Sequence, residues 1–412
     1  MTPVTRADCL ALDAADPLRG VRHRFDLPEG CIYLDGNSLG ALPKAAADHI
    51  RQLVEIQWGK DLITSWNKHG WIDLPAKLGA KIARLIGAKP HEVLVCDSTS
   101  LNVFKLLAVA LALNPGRRTI LSDHGNFPTD LYMAQGLAAL NGGRSELKLV
   151  GRNEIPDALG DDVAVLMLTE VDYRTGELYD MAALSSAARQ AGILTIWDLA
   201  HSAGALPVDL NGAGADFAVG CGYKYLNGGP GAPAYLFVAE RWQDRAQQPL
   251  FGWMGHAAPF ELSTRYRPRP GIRSFAVGTP PMLSLAGLEA GLDTFDGVDM
   301  QEVRGKSLAM GDLMIRLVEQ ECAGFGLLNA APTGERRGSQ VSFRHPESYA
   351  AMQALIARGV IGDFRAPDLM RFGLTPLYTS YTDIWDAVAA IKAVMAGEDW
   401  RNPSFRRRAA VT

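Results

Sequence analysis

The chain has 412 residues and is close to neutral, since 41 Lys and Arg residues stand against 45 Asp and Glu residues. This length predicts about two domains, and a hydrophobic share of 48% is enough to fill a sizeable core. A nucleic-acid-binding protein is usually basic, so nucleic acid is not an expected partner. No run of about 18 apolar residues is present, so no membrane span is expected. The N-terminus is broken by Asp, Arg and Pro and does not resemble a signal peptide.

The cysteines and histidines indicate the redox environment and the prospects for a metal site. Five cysteines, an odd and scattered set, argue against a disulfide framework and favour a reducing cytoplasm. The five cysteines and eight histidines show no ligand spacing, so no metal site is predicted. The cysteines are Cys9, Cys31, Cys96, Cys221 and Cys322.

The first part of the chain predicts an extended segment followed by a large domain. Residues 1–39 are rich in Gly and Pro and are expected to pack on a domain or on a partner subunit. Over residues 40–297, short apolar runs alternate with helical patterns, which predicts an α/β domain with a mostly parallel sheet. The predicted strands are Glu92–Cys96, Arg118–Ser122, Val163–Thr169, Ile193–Asp198, Ala215–Gly220 and Ala232–Val238. The predicted helices are Ser100–Leu113, one after Pro128, and Met181–Ala191 with Gly192 as its C-cap.

The pattern changes near Val298, and residues 298–412 predict a small α+β domain. Long helical periodicity is followed by short β-branched and aromatic runs and then by a last helix. The predicted elements are a helix over Met300–Cys322, a strand over Gln340–His345, a helix over Tyr349–Arg358, strands near Val360–Arg365 and Leu369–Leu374, and a helix from about Thr382.

The strongest chemical signal is Lys224, which lies just past an apolar strand inside the glycine-rich stretch Gly220–Gly231. A lysine near a strand end is usually a solvated surface charge. Here the glycines allow the backbone to approach a ligand closely, and a desolvated lysine is the residue type that forms Schiff bases. This position therefore favours a catalytic lysine.

Asp198 ends another apolar strand, and His201 follows three residues later. Asp at such a junction is often a helix N-cap, and a single His is more often structural. However, the carboxyl end of a strand is where open α/β sheets bind ligands. A carboxylate there could pair with the protonated pyridine nitrogen of pyridoxal phosphate.

Two weaker signals precede these in the chain. Thr99 and Ser100 lie between a strand and a helix, where hydroxyls and free backbone N–H groups form an anion site; simple helix capping is the alternative. Phe127 could stack on a cofactor ring, although a single Phe is usually a core residue.

Together, in this order, the four signals resemble fold-type-I pyridoxal-phosphate enzymes of the aminotransferase class V group. Within that group the sequence resembles the kynureninase family, and the matching pieces span nearly the whole chain. They are YLDGNSLGALP (Tyr33–Pro43), TSLN (Thr99–Asn102), FPTD (Phe127–Asp130), DLAHSAGA (Asp198–Ala205), GYKYLNGGPG (Gly222–Gly231), GWMGH (Gly252–His256), GTPP (Gly278–Pro281) and RFGLTPLY (Arg371–Tyr378).

The resemblance implies a fold, a reaction and an assembly. The large domain would be of the pyridoxal-phosphate-dependent transferase type, and a homodimer would place the active site between its subunits. The reaction would be hydrolysis of L-kynurenine to anthranilate and L-alanine in tryptophan catabolism. The 3-hydroxy form of the substrate, which would give 3-hydroxyanthranilate, is not distinguished from L-kynurenine by the sequence.

The resemblance also implies residue roles. Lys224 would form the Schiff base with pyridoxal 5′-phosphate, Asp198 would bind its pyridine nitrogen, and Thr279 would reach the phosphate across the dimer interface. Tyr223, a phenol beside Lys224, is a candidate proton relay. The implied cofactor-binding residues are Thr99, Ser100, Phe127, Asp130, Thr169, Asp198, His201, Tyr223, Lys224, Trp253 and Thr279. The implied substrate-binding residues are Arg371, as a carboxylate clamp, and Ser38, with Trp71 a weaker candidate that could equally be core.

Two other interpretations stay open on the sequence. A cysteine desulfurase or selenocysteine lyase needs a nucleophilic cysteine on a mobile loop, whereas Cys322 lies at a helix end and Cys96 ends a strand. A non-catalytic dimeric scaffold with the same fold would be free to lose Lys224 and Asp198, yet both are present.

Overall fold

A computed structural model of the protein describes residues 3–408. Its helices are α1 (Arg6–Ala15), α2 (Ala46–Gln52), α3 (Ser65–Lys68), α4 (Leu74–Leu85), α5 (Thr99–Leu113), α6 (Pro128–Leu140), α7 (Met181–Gln190), α8 (Leu210–Ala213), α9 (Glu240–Gln243), α10 (Met282–Asp293), α11 (Met300–Glu321), α12 (Ser348–Ala357) and α13 (Tyr381–Ala396). Its strands are β1 (Phe25–Asp26), β2 (Ile32–Tyr33), β3 (Leu42–Pro43), β4 (Val93–Val95), β5 (Thr119–Asp123), β6 (Glu146–Val150), β7 (Val163–Thr169), β8 (Leu194–Asp198), β9 (Phe217–Gly220), β10 (Tyr235–Val238), β11 (Leu328–Asn329), β12 (Gln340–Arg344), β13 (Val360–Ile361), β14 (Asp363–Arg365) and β15 (Leu369–Gly373).

The large sheet has seven strands in the order β4-β10-β9-β8-β7-β5-β6. The run from β9 to β6 is parallel, whereas β10 is antiparallel to both of its neighbours, β9 and β4. Because of these two reversals, β4 runs in the same direction as β7, β8 and β9. The carboxyl ends of these four strands therefore lie at one edge, where α/β sheets bind ligands. The predicted fold class, an α/β domain with a mostly parallel sheet, is confirmed.

Helices cover both faces of this sheet, which explains its continuous apolar strands. Every residue of β7 is buried, as expected for a parallel strand with both faces covered. Helices α5 and α6 pack on one face, and α4, α7 and α10 pack on the other. Within residues 3–408, no helix combines the length and the apolar character that a membrane crossing requires.

The small domain is a four-stranded antiparallel sheet in the order β11-β12-β15-β14, packed against α11, α12 and α13. The α+β prediction for this region is therefore confirmed. Ser342 on β12 lies opposite Arg371 on β15, and Gln340 lies opposite Gly373. Directly opposed residues share a face of the sheet, so Gln340, Ser342 and Arg371 point to the same side.

The N-terminal segment is not extended throughout, and this part of the prediction was wrong. Residues Arg6–Ala15 form α1, because Thr5 accepts a hydrogen bond from the backbone N–H of Asp8 and the Asp8 carboxylate accepts from that of Thr5. This capping box, Thr5-Arg-Ala-Asp8, was a readable signal. Cys9 is buried in the core of the small domain, and β2 pairs in parallel with β13. We retain the division of the chain at residues 39 and 297 as a proposal.

Candidate active site

Lys224 lies in a tightly folded loop that follows β9. The Lys224 carbonyl accepts a hydrogen bond from the N–H of Asn227 at 2.9 Å, and the N–H of Gly228 donates to the Gly222 carbonyl at 2.9 Å. Asn227 has φ +58, a left-handed conformation that asparagine tolerates. The loop directs Lys224 inward, where its Nζ lies 3.1 Å from Nε2 of His201.

The side chain of His201 is only 3% exposed and is held between the two domains. Its Nδ1 lies 3.2 Å from Oε1 of Gln340 on β12. Burial, and then the neighbouring charge of Lys224, lower the pKa of His201 well below its usual value. The imidazole is therefore neutral at physiological pH.

Asp198, at the carboxyl end of β8, forms a coupled pair with Asp130 near the start of α6. Burial and then the charge of Asp198 raise the pKa of Asp130 well above its usual value. Burial also raises the pKa of Asp198, but Lys224 and a hydrogen bond from Asp130 oppose this effect. We infer that Asp130 is protonated and donates a hydrogen bond to the ionised carboxylate of Asp198. The helix N-cap alternative does not hold, because turns rather than a helix follow Asp198; its Oδ1 accepts from the N–H of Ala200 at 2.8 Å, as in an Asx turn.

Thr169, the last residue of β7, is held beside this pair by a residue that the sequence analysis missed. Asn126 Oδ1 accepts from the Thr169 N–H at 2.9 Å and from its hydroxyl, and Asn126 Nδ2 donates to Ser122 at 3.1 Å. The Thr169 hydroxyl lies 3.5 Å from Oδ2 of Asp130. Asn126 precedes the FPTD motif directly, which was the available signal.

The N-terminus of α5 opens onto a cleft of about 600 Å³ beside Tyr223. Thr99 and Ser100 line this cleft, as does the glycine-rich loop at Gly231. Ser98, rather than either of these two residues, caps the helix by accepting from the N–H of Leu101 at 3.3 Å. The first turn of a fifteen-residue helix, with hydroxyls beside it, is a site suited to a phosphate.

A buried lysine forms an ion pair with Asp97, just before this turn, and the sequence analysis missed this lysine as well. Lys105 is fully buried and donates to Asp97 Oδ2 at 2.7 Å and to the Phe275 carbonyl at 2.9 Å. Asp97 has φ +50, which is rare for a residue with a side chain. The signal was a single charge inside the apolar helix Thr99–Leu113.

Arg371 lies buried on β15 with Asp363 as its ion-pair partner. Its Nε donates to Asp363 Oδ1 at 2.8 Å, its Nη2 donates to Asp363 Oδ2 and to Ser38 at 3.1 Å, and its Nη1 donates to the Tyr173 carbonyl at 2.5 Å. Arg365 contacts the same carboxylate at 2.7 Å. The structure thus brings together Ser38 and Arg371, the two residues predicted to bind substrate.

The net charge of this group depends on Asp35, which lies beside it. Burial, and then the charge of Asp363, raise the pKa of Asp35 to about 7. Below that pH, two guanidinium groups face one ionised carboxylate, so the cluster carries a net positive charge. A carboxylate on a small molecule would therefore be attracted to it.

Phe127 and Trp253, two of the predicted cofactor-binding aromatic residues, lie in different surroundings. Phe127 is 37% exposed, so the core alternative does not hold. Its ring centroid lies 5.7 Å from Lys224 Nζ, and it packs edge-to-face on Tyr173. Trp253 is 44% exposed, packs against Phe260, and lines no part of the cleft beside Thr99.

Two further candidates lie outside the cleft. Thr279 lines a neighbouring cavity that shares Asp97 with the cleft. Trp71 is buried, donates to Gln57 at 2.6 Å and packs on Trp66, so its core alternative is the better description.

The donors and acceptors at this edge fit pyridoxal phosphate. Lys224 supplies an amine, and the coupled Asp130 and Asp198 supply a buried negative charge that a pyridinium N–H would neutralise. Asp130 Oδ1 is buried and has no hydrogen-bond partner among the described residues, so a bound group could supply one. The first turn of α5 lies along the same edge for the phosphate.

Comparison with known proteins gives close relatives along the whole chain. Residues 303–391 match the family model for the kynureninase C-terminal domain. The chain is 53% identical over 414 residues to a kynureninase of Burkholderia mallei, with 99% of this chain and 100% of that protein covered. It is 52% identical, with the same coverage, to a kynureninase of Pseudomonas fluorescens.

Solved structures with a similar fold are much more distant in sequence. A lysine-to-alanine mutant of C-DES, with glycine covalently linked to its pyridoxal phosphate, has a TM-score of 0.78 at 18% identity and covers 90% of this chain and 98% of its own. A cysteine desulfurase from Thermococcus onnurineus has a TM-score of 0.75 at 19% identity, covering 92% and 98%. At this identity the likeness shows a shared fold and no more.

The thiols also argue against the desulfurase alternative. Cys322 and Cys221 are buried, and Cys96 is partly buried beside Lys105. Burial is the first cause that raises the pKa of Cys322 to about 11 and that of Cys96 to about 11. Neither is a thiolate on a mobile loop.

With half of its residues identical to curated relatives along its full length, the chain belongs to the kynureninase family.

Proposed function

We propose that this chain hydrolyses the Cβ–Cγ bond of L-kynurenine with pyridoxal 5′-phosphate as cofactor, giving anthranilate and L-alanine. The observation that carries the proposal is the position of Lys224, whose amine contacts neutral His201 beside the Asp130–Asp198 pair. When bound, the cofactor supplies an electron sink for carbanion chemistry at the amino acid. The enzyme is then a hydrolase acting on carbon–carbon bonds of ketonic substances.

Each cofactor group has a matching set of residues. Thr99 and Ser100 at the start of α5 would hold the phosphate, together with Tyr223, which lines the same cleft. Asp198 would pair with the pyridine nitrogen, with Asp130 and Thr169 as its neighbours. Phe127 presents an exposed ring face near Lys224.

Lys224 would act as the base at the substrate. With the cofactor supplying the electron sink, the Nζ of Lys224 would accept the Cα proton of the amino acid. His201 stays neutral and lies at hydrogen-bond distance, so it keeps the amine oriented. In the net reaction, one water would be added across the Cβ–Cγ bond: its oxygen would join the acyl carbon to complete the carboxylate of anthranilate, and a proton would go to Cβ to give alanine.

Arg371 and Ser38 would hold the substrate carboxylate. Asp363 and other acceptors already engage part of the Arg371 guanidinium and fix its orientation. Four hydrogen bonds use the N–H of Nε, one N–H of Nη1 and both N–H groups of Nη2. The second N–H of Nη1 and the exchangeable contact with Ser38 are left for the substrate. The positive charge that Arg365 adds favours the same anion.

Tyr223 is the proposed proton relay. The neighbouring Cys221, and then burial, raise the pKa of Tyr223, so its phenol keeps its proton at neutral pH. Tyr223→Phe is expected to slow turnover by about 10²-fold, the usual size of a general acid–base contribution, while cofactor remains bound. Full turnover with bound cofactor would remove this role.

The assembly that we propose is a homodimer in the cytoplasm, with the active site at the subunit interface. Trp253 and Thr279 lie outside the cleft of their own chain, and Phe251, Trp253 and Phe260 expose large apolar surfaces close together in sequence. Such exposed surfaces commonly mark interaction sites. All five cysteines are unpaired thiols, which supports a reducing compartment. Analytical ultracentrifugation tests the dimer directly.

The first test is a visible spectrum of the purified protein, followed by addition of L-kynurenine and detection of anthranilate fluorescence. A cofactor band with anthranilate release supports the proposal, and the same assay with 3-hydroxy-L-kynurenine ranks the two substrates. A band without anthranilate would contradict the substrate and leave the cofactor assignment intact. Lys224→Ala is the matched control, because it is expected to lose both the band and turnover.

A further inference from the structure

The carboxamide of Gln340 links the small domain to the Lys224 site. Its Nε2 lies 3.2 Å from the carbonyl of Asp172 and 3.2 Å from the carbonyl of Tyr173, both in the loop after β7. Its Oε1 lies 3.2 Å from Nδ1 of His201. The side chain is 1% exposed, so bulk water does not compete for these contacts.

The two carbonyls determine which way the amide faces. A carbonyl oxygen only accepts hydrogen bonds, so the NH₂ group of Gln340 must point toward Asp172 and Tyr173. Its oxygen must then point toward His201. An oxygen acceptor facing Nδ1 requires that Nδ1 carry the hydrogen.

The remaining ring nitrogen follows from the neutrality of His201. A neutral imidazole that is protonated at Nδ1 has an unprotonated Nε2. This nitrogen lies 3.1 Å from Lys224 Nζ, and an amine can donate to it in either of its protonation states. The contacts thus form one directed chain: Lys224 donates to His201, and His201 donates to Gln340.

We propose that Gln340 is a positioning residue that holds His201 in the tautomer protonated at Nδ1, so that the Nε2 lone pair orients the amine of Lys224. Hydrogen-bond partners of this kind set the tautomer of functional histidines in other sites. The inference concerns how the lysine is oriented, and its catalytic consequence rests on the function proposed above.

The loop that contains Gly176 packs closely against the side chain of Gln340. A Cβ placed on Gly176, which has φ +79, would lie 2.8 Å from Cγ of Gln340, so the loop approaches as closely as only glycine permits. The Tyr173 carbonyl that anchors Gln340 also accepts from Arg371 Nη1. The Tyr173 carbonyl therefore accepts hydrogen bonds from both Arg371 and Gln340, and Gln340 in turn contacts His201, the neighbour of Lys224.

The test is ¹⁵N NMR of the full chain labelled at histidine, recorded before and after addition of pyridoxal 5′-phosphate. The His201 signals are assigned by their loss in His201→Gln. The wild-type protein is expected to show a pyrrole-type shift at Nδ1 and a pyridine-type shift at Nε2. The reverse pattern in the protein without cofactor would overturn the proposal.

Three variants separate the tautomer from simple packing. Gln340→Met removes the acceptor and is expected to mix the two tautomers and to slow the development of the cofactor band by about tenfold, the lower end for loss of a histidine's partner. Gln340→Glu, with its buried carboxyl protonated toward the Asp172 and Tyr173 carbonyls, keeps an acceptor at Nδ1 and is expected to keep the wild-type tautomer. Ser342→Ala is the control, because Ser342 donates to the Arg174 carbonyl of the same loop without touching His201.

The outcomes are distinct from those of the function test. Unchanged His201 shifts in Gln340→Met, or band development as fast as in Ser342→Ala, would refute the role of Gln340 even if anthranilate is released. The expected shifts without anthranilate release would refute the proposed reaction and leave the tautomer assignment standing. If Gln340→Met does not fold, the wild type and Gln340→Glu still decide the tautomer.

Discussion

Lys105 Nζ, fully buried in α5, donates to Asp97 Oδ2 at 2.7 Å directly beneath the turn that carries Thr99 and Ser100. Removal of one partner of a buried ion pair leaves the other charge uncompensated, which costs about 3 kcal/mol or more. Lys105→Met is therefore expected to lower the free energy of unfolding by about that amount and to weaken pyridoxal-phosphate binding. Urea denaturation and cofactor titration measure the two effects.

A double variant provides the control for Lys105. Lys105→Met with Asp97→Asn removes both charges, so most of the lost stability is expected to return while cofactor affinity stays low. If the double variant binds cofactor like the wild type, the buried cation contributes nothing to the phosphate site.

Asp35 predicts a pH dependence of substrate affinity. Because burial and Asp363 raise the pKa of Asp35 to about 7, this carboxyl is neutral below that pH and ionised above it. The added negative charge weakens attraction for the substrate carboxylate, so KM is expected to rise as pH increases through about 7. Asp35→Asn is expected to abolish that rise, and initial rates across this range measure it.

The same group makes a sign-specific prediction for stability. Since the folded pKa lies above the unfolded one, the stabilising contribution is fully present below the ordinary pKa of 3.8 and is lost as pH rises from there through about 7. Between these two pH values, the urea midpoint of the wild type should fall more than that of Asp35→Asn. Parallel curves would contradict the shifted pKa.

Arg371 should affect the substrate far more than the cofactor. Loss of a charge-assisted bond to a carboxylate costs about 1.5–3 kcal/mol, so Arg371→Lys is expected to raise KM on the order of 10- to 100-fold, with cofactor affinity nearly unchanged. Arg371→Ala should be worse, since Asp363 also loses a buried partner. Arg344→Ala is the control, because Arg344 pairs with Asp368 on the same sheet, away from Ser38. Equal losses of substrate and cofactor affinity would argue against the clamp.

Gly40 is the point where the N-terminal segment contacts the lysine loop. Its N–H donates to the Tyr223 carbonyl at 2.8 Å, and a Cβ at this position would lie 2.5 Å from the Lys224 carbonyl oxygen. Gly40→Ala must therefore displace backbone, at a cost of about 1–3 kcal/mol, and it is expected to shift the cofactor spectrum. Gly20→Ala is the control, since no atom lies within 4 Å of its added Cβ. An unaltered spectrum in Gly40→Ala would show that the loop tolerates the displacement.

The sequence predicts most of the large domain because its buried strands carry a strong local pattern. Each predicted strand and helix is present, with ends that differ by up to three residues, and the run over Val360–Arg365 divides into two strands. Strand β6 was missed because it lies at the sheet edge, where its residues Glu146–Val150 are not fully buried and carry no continuous apolar run. Helix α1 was missed because Cys9 is its one buried residue and its capping box was not recognised.

The candidate site was only partly predictable for a different reason. Lys224, Asp198 and His201 stand at strand ends, so local sequence indicates their position. Asn126 and Gln340 act through contacts with residues that are distant in sequence, 43 positions away for Thr169 and 139 for His201. Only the three-dimensional packing brings such amides to their partners.

The pairing of β2 with β13 has a consequence for the order of folding. Residues 32 and 360 pair across more than three hundred positions of the chain, and pairings so distant in sequence are slow to form. During synthesis, the cluster of Arg371, Asp363 and Ser38 cannot assemble until β14 and β15 have left the ribosome. A chain that stops short of β15 would keep the residues proposed to bind the cofactor and would lack Arg371, so substrate turnover, rather than cofactor binding, reports that the whole polypeptide has been made and folded.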